Sequence, residues 1–391
     1  MVTTRCPAVG VPTVAPCEPT ELAPLVAWLG ERRAAAAPLT FPRGTVLPDG
    51  RLDLCKQGLG PGGARLVLDA LRGHPAIRAI LFGTGGIGNA GAAAVADALD
   101  AGLTLDTVYL GCNAIDGDGV RSLARAGARR GVDALWLKRN PLGVAGAHAI
   151  AEVIGDGGGP RVLDLFNCEL DDDGVIAIAR AVAAPACRVA YLYLGGNGAG
   201  PRAAAALATA IASNRALRGL YLGASRLGDA GACAIADALA RNPGLEELDL
   251  ASNAVGPAGA AALARAVAVH PRLARLDLGA AASARALGEP ANAIGDAGAL
   301  ALAAVLAGDP PLRALDLRAN GITSHGAMAL ARALATNTHL IDLGLHHFVA
   351  RTIRRTLRAR LDANAVHAAT PTMPAHVAAI QSVYRTRPPA R

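Results

Sequence analysis

Two short motifs contain residue types that could take part in ligand binding. Gly83, Gly85 and Gly88 have the spacing of a dinucleotide-binding turn, in which glycines let a pyrophosphate approach the first turn of a helix. The wider strand–helix–strand pattern of such a site does not accompany them, so we interpret the motif as an ordinary turn. The run Asp171–Asp173 offers carboxylates for calcium but lacks the spacing of a calcium loop, and we expect it to begin a helix.

His346 and His347 form a third motif, with two imidazole groups of the kind that bind zinc. Because neighbouring residues of a strand point to opposite faces, the two rings make a poor metal pair without further ligands. No Ser/His/Asp or Cys/His spacing predicts a nucleophilic site. We therefore expect no catalytic residue, no metal and no cofactor.

Aromatic side chains are scarce, since the chain has two Trp, five Tyr and four Phe residues, yet six of them share one setting. Each lies beside an apolar residue of a short Leu-x-Leu-like run, where a strand would direct it to the face opposite the leucines. These six are Tyr109, Trp136, Phe166, Tyr191, Tyr193 and Tyr221. Tyrosine and tryptophan often dominate the binding energy of interfaces, so the clustering predicts a partner-binding patch.

Charged residues extend this predicted site along the chain. Lys138, Arg139 and Asp164 adjoin the aromatic residues and are expected to orient the partner. An acidic section follows, interrupted by two arginines: Glu247, Asp249, Arg275, Asp277, Asp316 and Arg318. Because neighbouring strands stand about 4.8 Å apart, aspartates in successive strands should raise the pKa of at least one carboxyl group. Three glycines beside the rings are expected to leave depressions for the partner: Gly111, Gly195 and Gly223.

The element that positions these residues is a repeat. Its typical form runs from Leu245 to Pro271, with a Leu-x-x-Leu-x-Leu strand followed by an alanine-rich helix. The second leucine recurs about every 28 residues. Its positions are Ile80, Val108, Leu135, Leu163, Leu192, Leu220, Leu248, Leu276, Leu315 and Leu343. The longer interval before Leu315 predicts an insertion at 279–291, which we expect to form a mobile edge of the acidic section.

An asparagine recurs just after most of the predicted strands. It occupies positions Asn113, Asn140, Asn197, Asn253, Asn292 and Asn320. An inward amide at this point can satisfy the turning backbone of adjacent repeats, so we expect a structural role. One repeat cannot bury its apolar side alone, and the core therefore depends on stacked neighbours.

The period, the asparagine position and Leu-Asp-Leu strands such as Leu248–Leu250 resemble the ribonuclease-inhibitor-like class of leucine-rich-repeat proteins, over about residues 52–345. The resemblance implies an α/β solenoid, a horseshoe of about 10–11 repeats with a concave parallel β-sheet and convex helices. It also implies protein recognition on the concave face. Aspartate is common in the Leu-Asp-Leu strands of that class, so the aromatic residues are the stronger sign of a site. The insertion, the glycine-rich inner columns and the scarce cysteine depart from the class and leave ribonuclease binding unsupported.

The two ends of the chain are predicted to cap the solenoid of residues 51–345. Residues 1–50 form an N-terminal cap, with a short helix over 22–34, and the stretch 41–54 is an irregular lead into the first strand, Leu52–Leu54. Residues 346–391 form a basic C-terminal cap and tail, whose eight arginines and one acid account for the net charge of +7. An apolar stripe recurs there every four residues, at Val349, Ile353, Leu357 and Leu361. Few aromatic residues interleave with the arginines, so we do not expect nucleic-acid binding.

The composition indicates the cellular location of the protein. No apolar run approaches the roughly 18 residues of a membrane span, and prolines break the first 35 residues, so neither a span nor a signal peptide is predicted. Seven cysteines without a C-x-x-C pair predict mostly reduced thiols and a cytoplasmic protein. Abundant alanine, glycine and arginine with little lysine predict a bacterial source.

These features favour a non-enzymatic scaffold that binds a protein or peptide on an aromatic and acidic concave surface. The alternative is an enzyme, or an enzyme-associated peptide-binding protein, that presents a peptide to His346, His347 and nearby acids in the C-terminal repeats. A third hypothesis is a bacterial effector or regulator whose basic terminus contacts nucleic acid or a membrane. The sequence does not predict the partner's identity or the oligomeric state.

Overall fold

The computed structural model describes residue 10 and residues 12–346, 349–367 and 375–380. Short strands alternate with helices along nearly all of this length. The strands are β1 (Leu39–Thr40), β2 (Thr45–Val46), β3 (Arg51–Asp53), β4 (Ala79–Leu81), β5 (Thr107–Tyr109), β6 (Ala134–Trp136), β7 (Val162–Asp164), β8 (Tyr191–Tyr193), β9 (Gly219–Tyr221), β10 (Glu247–Asp249), β11 (Arg275–Asp277), β12 (Ala314–Asp316) and β13 (Asp342–Gly344). The helices are α1 (Pro19–Gly30), α2 (Gly60–Ala70), α3 (Gly88–Asp100), α4 (Gly117–Arg130), α5 (Gly143–Gly155), α6 (Asp171–Val182), α7 (Pro201–Ser213), α8 (Gly228–Leu239), α9 (Pro257–Val269), α10 (Ala284–Leu287), α11 (Gly295–Leu306), α12 (Ser324–Ala333), α13 (Arg351–His367) and α14 (Ala375–Ala378).

The chain divides into two compact units. The first unit comprises Met1–Leu170 with Thr372–Arg391, and the second comprises Asp171–Pro371. In the first unit, β3 to β7 pair in parallel and in sequence order. In the second unit, β8 to β13 do the same. Each strand from β3 onwards is followed by a helix, which gives eleven strand–helix repeats and confirms the predicted α/β solenoid.

The N-terminal edge of the first unit differs from the prediction. The strands β1 and β2 form an antiparallel hairpin that pairs with β3. The predicted first strand corresponds to β3, whereas the expectation of an irregular lead before it is wrong. The hairpin satisfies the backbone groups along the outer edge of β3, which would otherwise be exposed.

The core of each repeat lies between its strand and its helix. Leu248 and Leu250 of the repeat at β10 are fully or almost fully buried. Neighbouring helices approach closely because the residues between them are small. A β-carbon placed on Gly231 of α8 would lie 2.9 Å from the β-carbon of Ala204 in α7. The alanine and glycine content of these helices is therefore a packing requirement, since larger residues would overfill the space.

The recurrent asparagines have the predicted structural role. Oδ1 of Asn140 accepts hydrogen bonds from the backbone amides of Asn113 at 2.8 Å and Ile115 at 3.1 Å. Its Nδ2 donates to two backbone carbonyls at 3.0 and 2.7 Å. One buried side chain thus satisfies four backbone groups in successive repeats. Asn292 makes the corresponding bonds in the second unit.

A second polar ladder, at the helix ends, was not predicted. Nδ2 of Asn242 donates to the carbonyls of Ile211 at 2.7 Å and Asn214 at 3.0 Å. Nε2 of His270 lies 2.6 Å from the carbonyl oxygen of Asn242. Asn214, Asn242 and His270 are one repeat apart in the chain, so the signal was present in the sequence. These buried groups join successive repeats on the side opposite the strand-end asparagines.

The glycine motif at 83–88 is a turn between repeats. The amide of Gly85 donates to Oδ1 of Asn113 at 2.9 Å, and the amide of Thr84 donates to the carbonyl of Gly111 at 2.8 Å. Acceptors in the next repeat therefore already bind these amides, which a phosphate site would need to present to its ligand.

The acidic run begins α6, as expected from the sequence. Oδ1 of Asp171 accepts the amides of Asp173 at 2.9 Å and Gly174 at 3.3 Å. Oδ1 of Asp172 accepts the amide of Gly200 at 2.8 Å. These carboxylates satisfy free amides at helix starts, which is a capping role.

The predicted insertion contains the short helix α10 and is attached to its own unit. Glu289 forms an ion pair with Arg226, with 2.7 Å between Oε2 and Nε. The Glu289 side chain is only 5% exposed, and the amide of Ala281 donates to Oγ of Ser252 at 3.0 Å. The mobility that the sequence predicted for this edge stays a prediction.

The apolar stripe near the C-terminus covers the last repeat of the second unit. Ile353, Leu357 and Leu361 of α13 are buried, and α13 packs against α12. Nδ2 of Asn364 donates to the carbonyls of Asn337 at 3.1 Å and Leu340 at 2.8 Å. This arrangement supports the proposal that the segment is a cap.

Most of the cysteines are free thiols. They are Cys17, Cys55, Cys168, Cys187 and Cys233. Cys112 is disulfide-bonded, an exception among thiols that are mostly reduced, as the sequence predicted.

None of the described helices is long and apolar enough to cross a membrane.

Candidate functional site

Each sheet has an open face, turned away from the helices, where the residues between the core leucines lie. In the first unit Tyr109 and Trp136 occupy this face, at the ends of β5 and β6. They are only 3% and 2% exposed. Nζ of Lys138 lies 5.7 Å from the centroid of the Tyr109 ring, which is within cation–π range. The sequence predicted rings exposed for binding, whereas both rings are buried in the structure.

Lys138 and Asp164 are electrostatic neighbours on the same face. Burial raises the pKa of Asp164 to about 6, and Lys138 opposes this shift. Burial also lowers the pKa of Lys138, and Asp164 opposes that shift. Oδ1 of Asp164 accepts the amide of Phe166 at 2.9 Å. Both Phe166 and Arg139 are half-buried in the turns that follow β7 and β6.

The tyrosines of the second unit form a stack. The rings of Tyr193 and Tyr221 have centroids 4.0 Å apart. Oη of Tyr221 donates to Oε2 of Glu247 at 2.8 Å. Burial, reinforced by Tyr193 and Glu247, raises the pKa of Tyr221, so its hydroxyl stays protonated and donates. Tyr191 lies beside Gly219, where an added β-carbon would come within 2.7 Å of Tyr191 Cδ1. All three tyrosines remain partly exposed.

Asp249, Asp277 and Asp316 form an acidic column, one residue at the end of each of three paired strands. Oδ1 of each accepts the amide two residues further on, at 2.8, 2.8 and 2.9 Å respectively. Burial, reinforced by Asp277 and Asp316, raises the pKa of Asp249 to about 7. Burial also raises the pKa of Asp277. The sequence predicted a raised carboxyl pKa from crowded charges, whereas burial is the larger cause for both groups.

Two arginines partly neutralise the column. Arg318 pairs with Asp316, and this pairing raises the pKa of Arg318. Nε of Arg275 lies 3.8 Å from Oε2 of Glu247. Both arginine side chains are more than half exposed. A depression of about 260 Å³ opens here, and its charged lining consists of Arg275, Asp277, Asp316, Arg318 and Asp342.

The glycines beside the aromatic rings do not leave depressions, contrary to the prediction. A β-carbon on Gly111 would lie 3.0 Å from Tyr109 Oη, and one on Gly223 would lie 3.0 Å from Asp249 Oδ2. A β-carbon on Gly195 would collide with the carbonyl oxygen of Gly223. Neighbouring side chains and backbone already fill this space, so packing requires these glycines.

The histidine motif is only partly described. His346 is half-buried just beyond β13, and His347 lies outside the described residues. Within the described ranges, no three His, Cys, Asp or Glu side chains are grouped to hold a metal ion. The enzyme alternative that depends on this pair stays a prediction.

Comparison with known proteins bears on the fold. Residues 161–179, 241–264 and 308–331 match the family model described as "Leucine Rich repeat". The fold is a leucine-rich-repeat solenoid. A solved structure described as "Leiomodin-1 Actin-Binding Site 2 (ABS2)" is similar at 16% identity, with a TM-score of 0.28, and the match covers 55% of this chain and 87% of that chain. No curated protein sequence matches this chain. The ribonuclease-inhibitor-like class and the bacterial source stay predictions.

Proposed function

We propose that this protein is a non-enzymatic scaffold that binds a protein or peptide on the open face of its second unit. The partner is a segment rich in lysine or arginine. The observation that carries the proposal is the depression in which Asp277, Asp316 and Asp342 meet Arg275 and Arg318. A cavity with convergent polar groups is the usual form of a binding site.

The electrostatics of the acidic column favour a cationic partner. Asp249 has a raised pKa because its carboxylate is buried near two others, so negative charge is unfavourable there. A basic side chain bound at the column would stabilise the ionised carboxylates. The contact of the exposed Arg318 side chain with Asp316 supports this proposal, because it pairs a guanidinium with a carboxylate of the column.

The tyrosine stack adjoins the column and supplies a second kind of contact. Tyr221 is in register with Asp249 on the neighbouring strand. The half-exposed rings of Tyr193 and Tyr221 offer flat apolar area for the aliphatic stem of a lysine or arginine. Aromatic and acidic residues together thus match the two chemical parts of a long basic side chain.

A test must separate binding from folding, because Oδ1 of each aspartate also accepts a backbone amide. Replacement by asparagine keeps that acceptor and removes the charge. The probe is a peptide selected from a displayed random library on the purified full chain. We expect selected peptides to be rich in lysine and arginine, and Asp277→Asn with Asp316→Asn to weaken their binding about tenfold or more.

The matched control is Asp237→Asn, which removes one carboxylate from the exposed side of α8. Affinity should be unchanged in this variant. The proposal is wrong if the selected peptides lack basic residues, or if the double variant binds them as well as the control does.

A further inference from the structure

A short segment near the C-terminus belongs to the first unit and lies against its open face. The segment begins with the single helical turn α14, and the amides of Ala379 and Ile380 extend it by donating to Ala375 at 2.9 Å and Val377 at 3.1 Å. His376 and Ile380 are four positions apart, which places their side chains on the same side of a helical turn.

Three contacts attach this segment to the first unit. The imidazole of His376 stacks on the indole of Trp136, with centroids 6.2 Å apart and 22° between the planes. Nη1 of Arg51 donates to the carbonyl of Ala378 at 3.1 Å. Ile380 is fully buried. The contacts combine a ring, a backbone carbonyl and an aliphatic side chain, as a bound peptide would.

The receiving surface also has contacts within the first unit. Asp49 fixes the guanidinium of Arg51 through contacts of 2.8 and 3.0 Å to Nε. Trp136 occupies a strand-end position that is aspartate in several other repeats, and the core beneath it is already aliphatic. A helical turn of this length is unstable in isolation, so its order depends on the face. Burial lowers the pKa of His376 to about 4, and the ring therefore docks as neutral imidazole.

We propose that the open face of the first unit is a groove for a short peptide, and that residues 375–380 occupy it as a displaceable resident ligand. The external partner presents a helical turn with a neutral ring residue and, four positions later, a branched aliphatic residue. This inference rests on the proposed function only in treating an open face as a binding surface. It concerns other residues and an apolar rather than a basic partner.

Covalent attachment raises the local concentration of the segment at the groove. An attached ligand has an effective concentration of about a millimolar, so even a micromolar affinity keeps it docked. An external peptide must compete with that concentration. The segment therefore sets a threshold, and only a partner that binds more tightly or at higher concentration gains access to Trp136.

The test uses the full chain and a fluorescein-labelled peptide with the sequence of residues 372–383. Ile380→Asp places a charge in the buried position of the segment and should empty the groove. Fluorescence anisotropy should then show the peptide binding at least about tenfold more tightly to Ile380→Asp than to the unmodified protein. Ala375→Asp is the matched control, because Ala375 is exposed in the same turn; it should behave like the unmodified protein.

Two further variants locate the peptide in the groove. Trp136→Leu added to Ile380→Asp should weaken peptide binding about tenfold or more. Arg51→Gln on the same background tests the carbonyl contact if the tryptophan variant does not fold. The proposal is overturned if the peptide binds Ile380→Asp no better than the unmodified protein, or if neither groove variant weakens it. A concentration-dependent dimer that Ile380→Asp abolishes would also overturn it, because the segment would then dock on a second copy. None of these results depends on basic peptides binding the second unit.

Discussion

The rings of Tyr193 and Tyr221 stack in parallel, with 4.0 Å between centroids and 3° between planes. Aromatic pairs of this kind contribute about 0.5–1.5 kcal/mol beyond the area they bury. The aromatic patch of the second unit therefore contributes to folding as well as presenting a surface. The stack therefore predicts that loss of the Tyr193 ring lowers stability.

Tyr193→Ala should lower the free energy of unfolding by about 1–2 kcal/mol, because it removes the ring that covers Tyr221. Tyr193→Phe keeps the ring and should lower the free energy of unfolding by less. Chemical denaturation of both variants tests this. If the alanine variant is as stable as the phenylalanine variant, the stack does not stabilise the fold.

The acidic column should make stability depend on pH. The folded state holds the proton of Asp249 more tightly than the unfolded chain does, since its pKa is raised from 3.8 to about 7. This carboxyl group therefore costs little stability near pH 4, and its cost grows as the pH rises through 7. Asp249→Asn should be more stable than the unmodified protein by about 1–2 kcal/mol at pH 8, a value that allows for partial exposure of the side chain.

Denaturation at several pH values between about 4 and 8 checks this sign. The gain from Asp249→Asn should shrink as the pH falls from about 7 to about 4, because the folded state then binds the proton and the unfolded chain, whose pKa is 3.8, begins to bind it as well. Asp237→Asn, at an exposed helix position, should show no such trend. A gain that is constant across the range would mean that charge repulsion is not its cause.

The strand-end asparagine ladder predicts a large effect of one substitution. Asn140→Ala leaves two buried amides and two buried carbonyls without this side-chain partner. The free energy of unfolding should fall by about 2–4 kcal/mol. Asn140→Cys should be milder, because Cys168 occupies the equivalent position and its Sγ donates to the carbonyl of Leu137 at 3.3 Å. Equal losses in both variants would argue that only the volume of the side chain matters.

The C-terminal helix gives a test of the cap. Leu357→Ala should destabilise the second unit by about 2–3 kcal/mol, because Leu357 is buried in the contact of α13 with the last repeat. Arg355→Ala, on the exposed side of α13, should change stability by less than about 0.5 kcal/mol. Thermal unfolding measures the stability of both variants. An unchanged transition temperature for Leu357→Ala would show that α13 is not a cap.

Most of the fold and part of the site could be predicted from the repeat period. It placed the strands, the strand-end asparagines and the acidic column, because each of these recurs with the same spacing. The hairpin β1–β2 escaped prediction because its strands are only two residues long and carry no alternation. The contact between Trp136 and His376 could not be predicted because the two residues are far apart in sequence, and the alanine-rich segment around His376 has no pattern that indicates what it contacts.

The sequence also could not predict which neighbouring groups occupy the space beside each glycine. A glycine in one repeat shows only that a side chain is missing, and not what occupies the space. In the structure, a β-carbon on Gly279 would lie 2.5 Å from Asp316 Oδ1 and 3.1 Å from Asp277 Oδ1. The carboxylates of two repeats thus converge on one glycine, which the one-dimensional pattern did not reveal.

This convergence has a consequence for how such a surface diversifies. Gly223 makes room for Asp249, and Gly279 makes room for Asp316, so a residue after one strand and a residue on the next strand are chosen together. A single repeat transplanted from elsewhere in the chain would bring only one member of each pair. New specificities on this face should therefore arise by exchange of stretches that keep Gly223 with Asp249 and Gly279 with Asp316, and recombination points should fall outside these stretches, for example in α9.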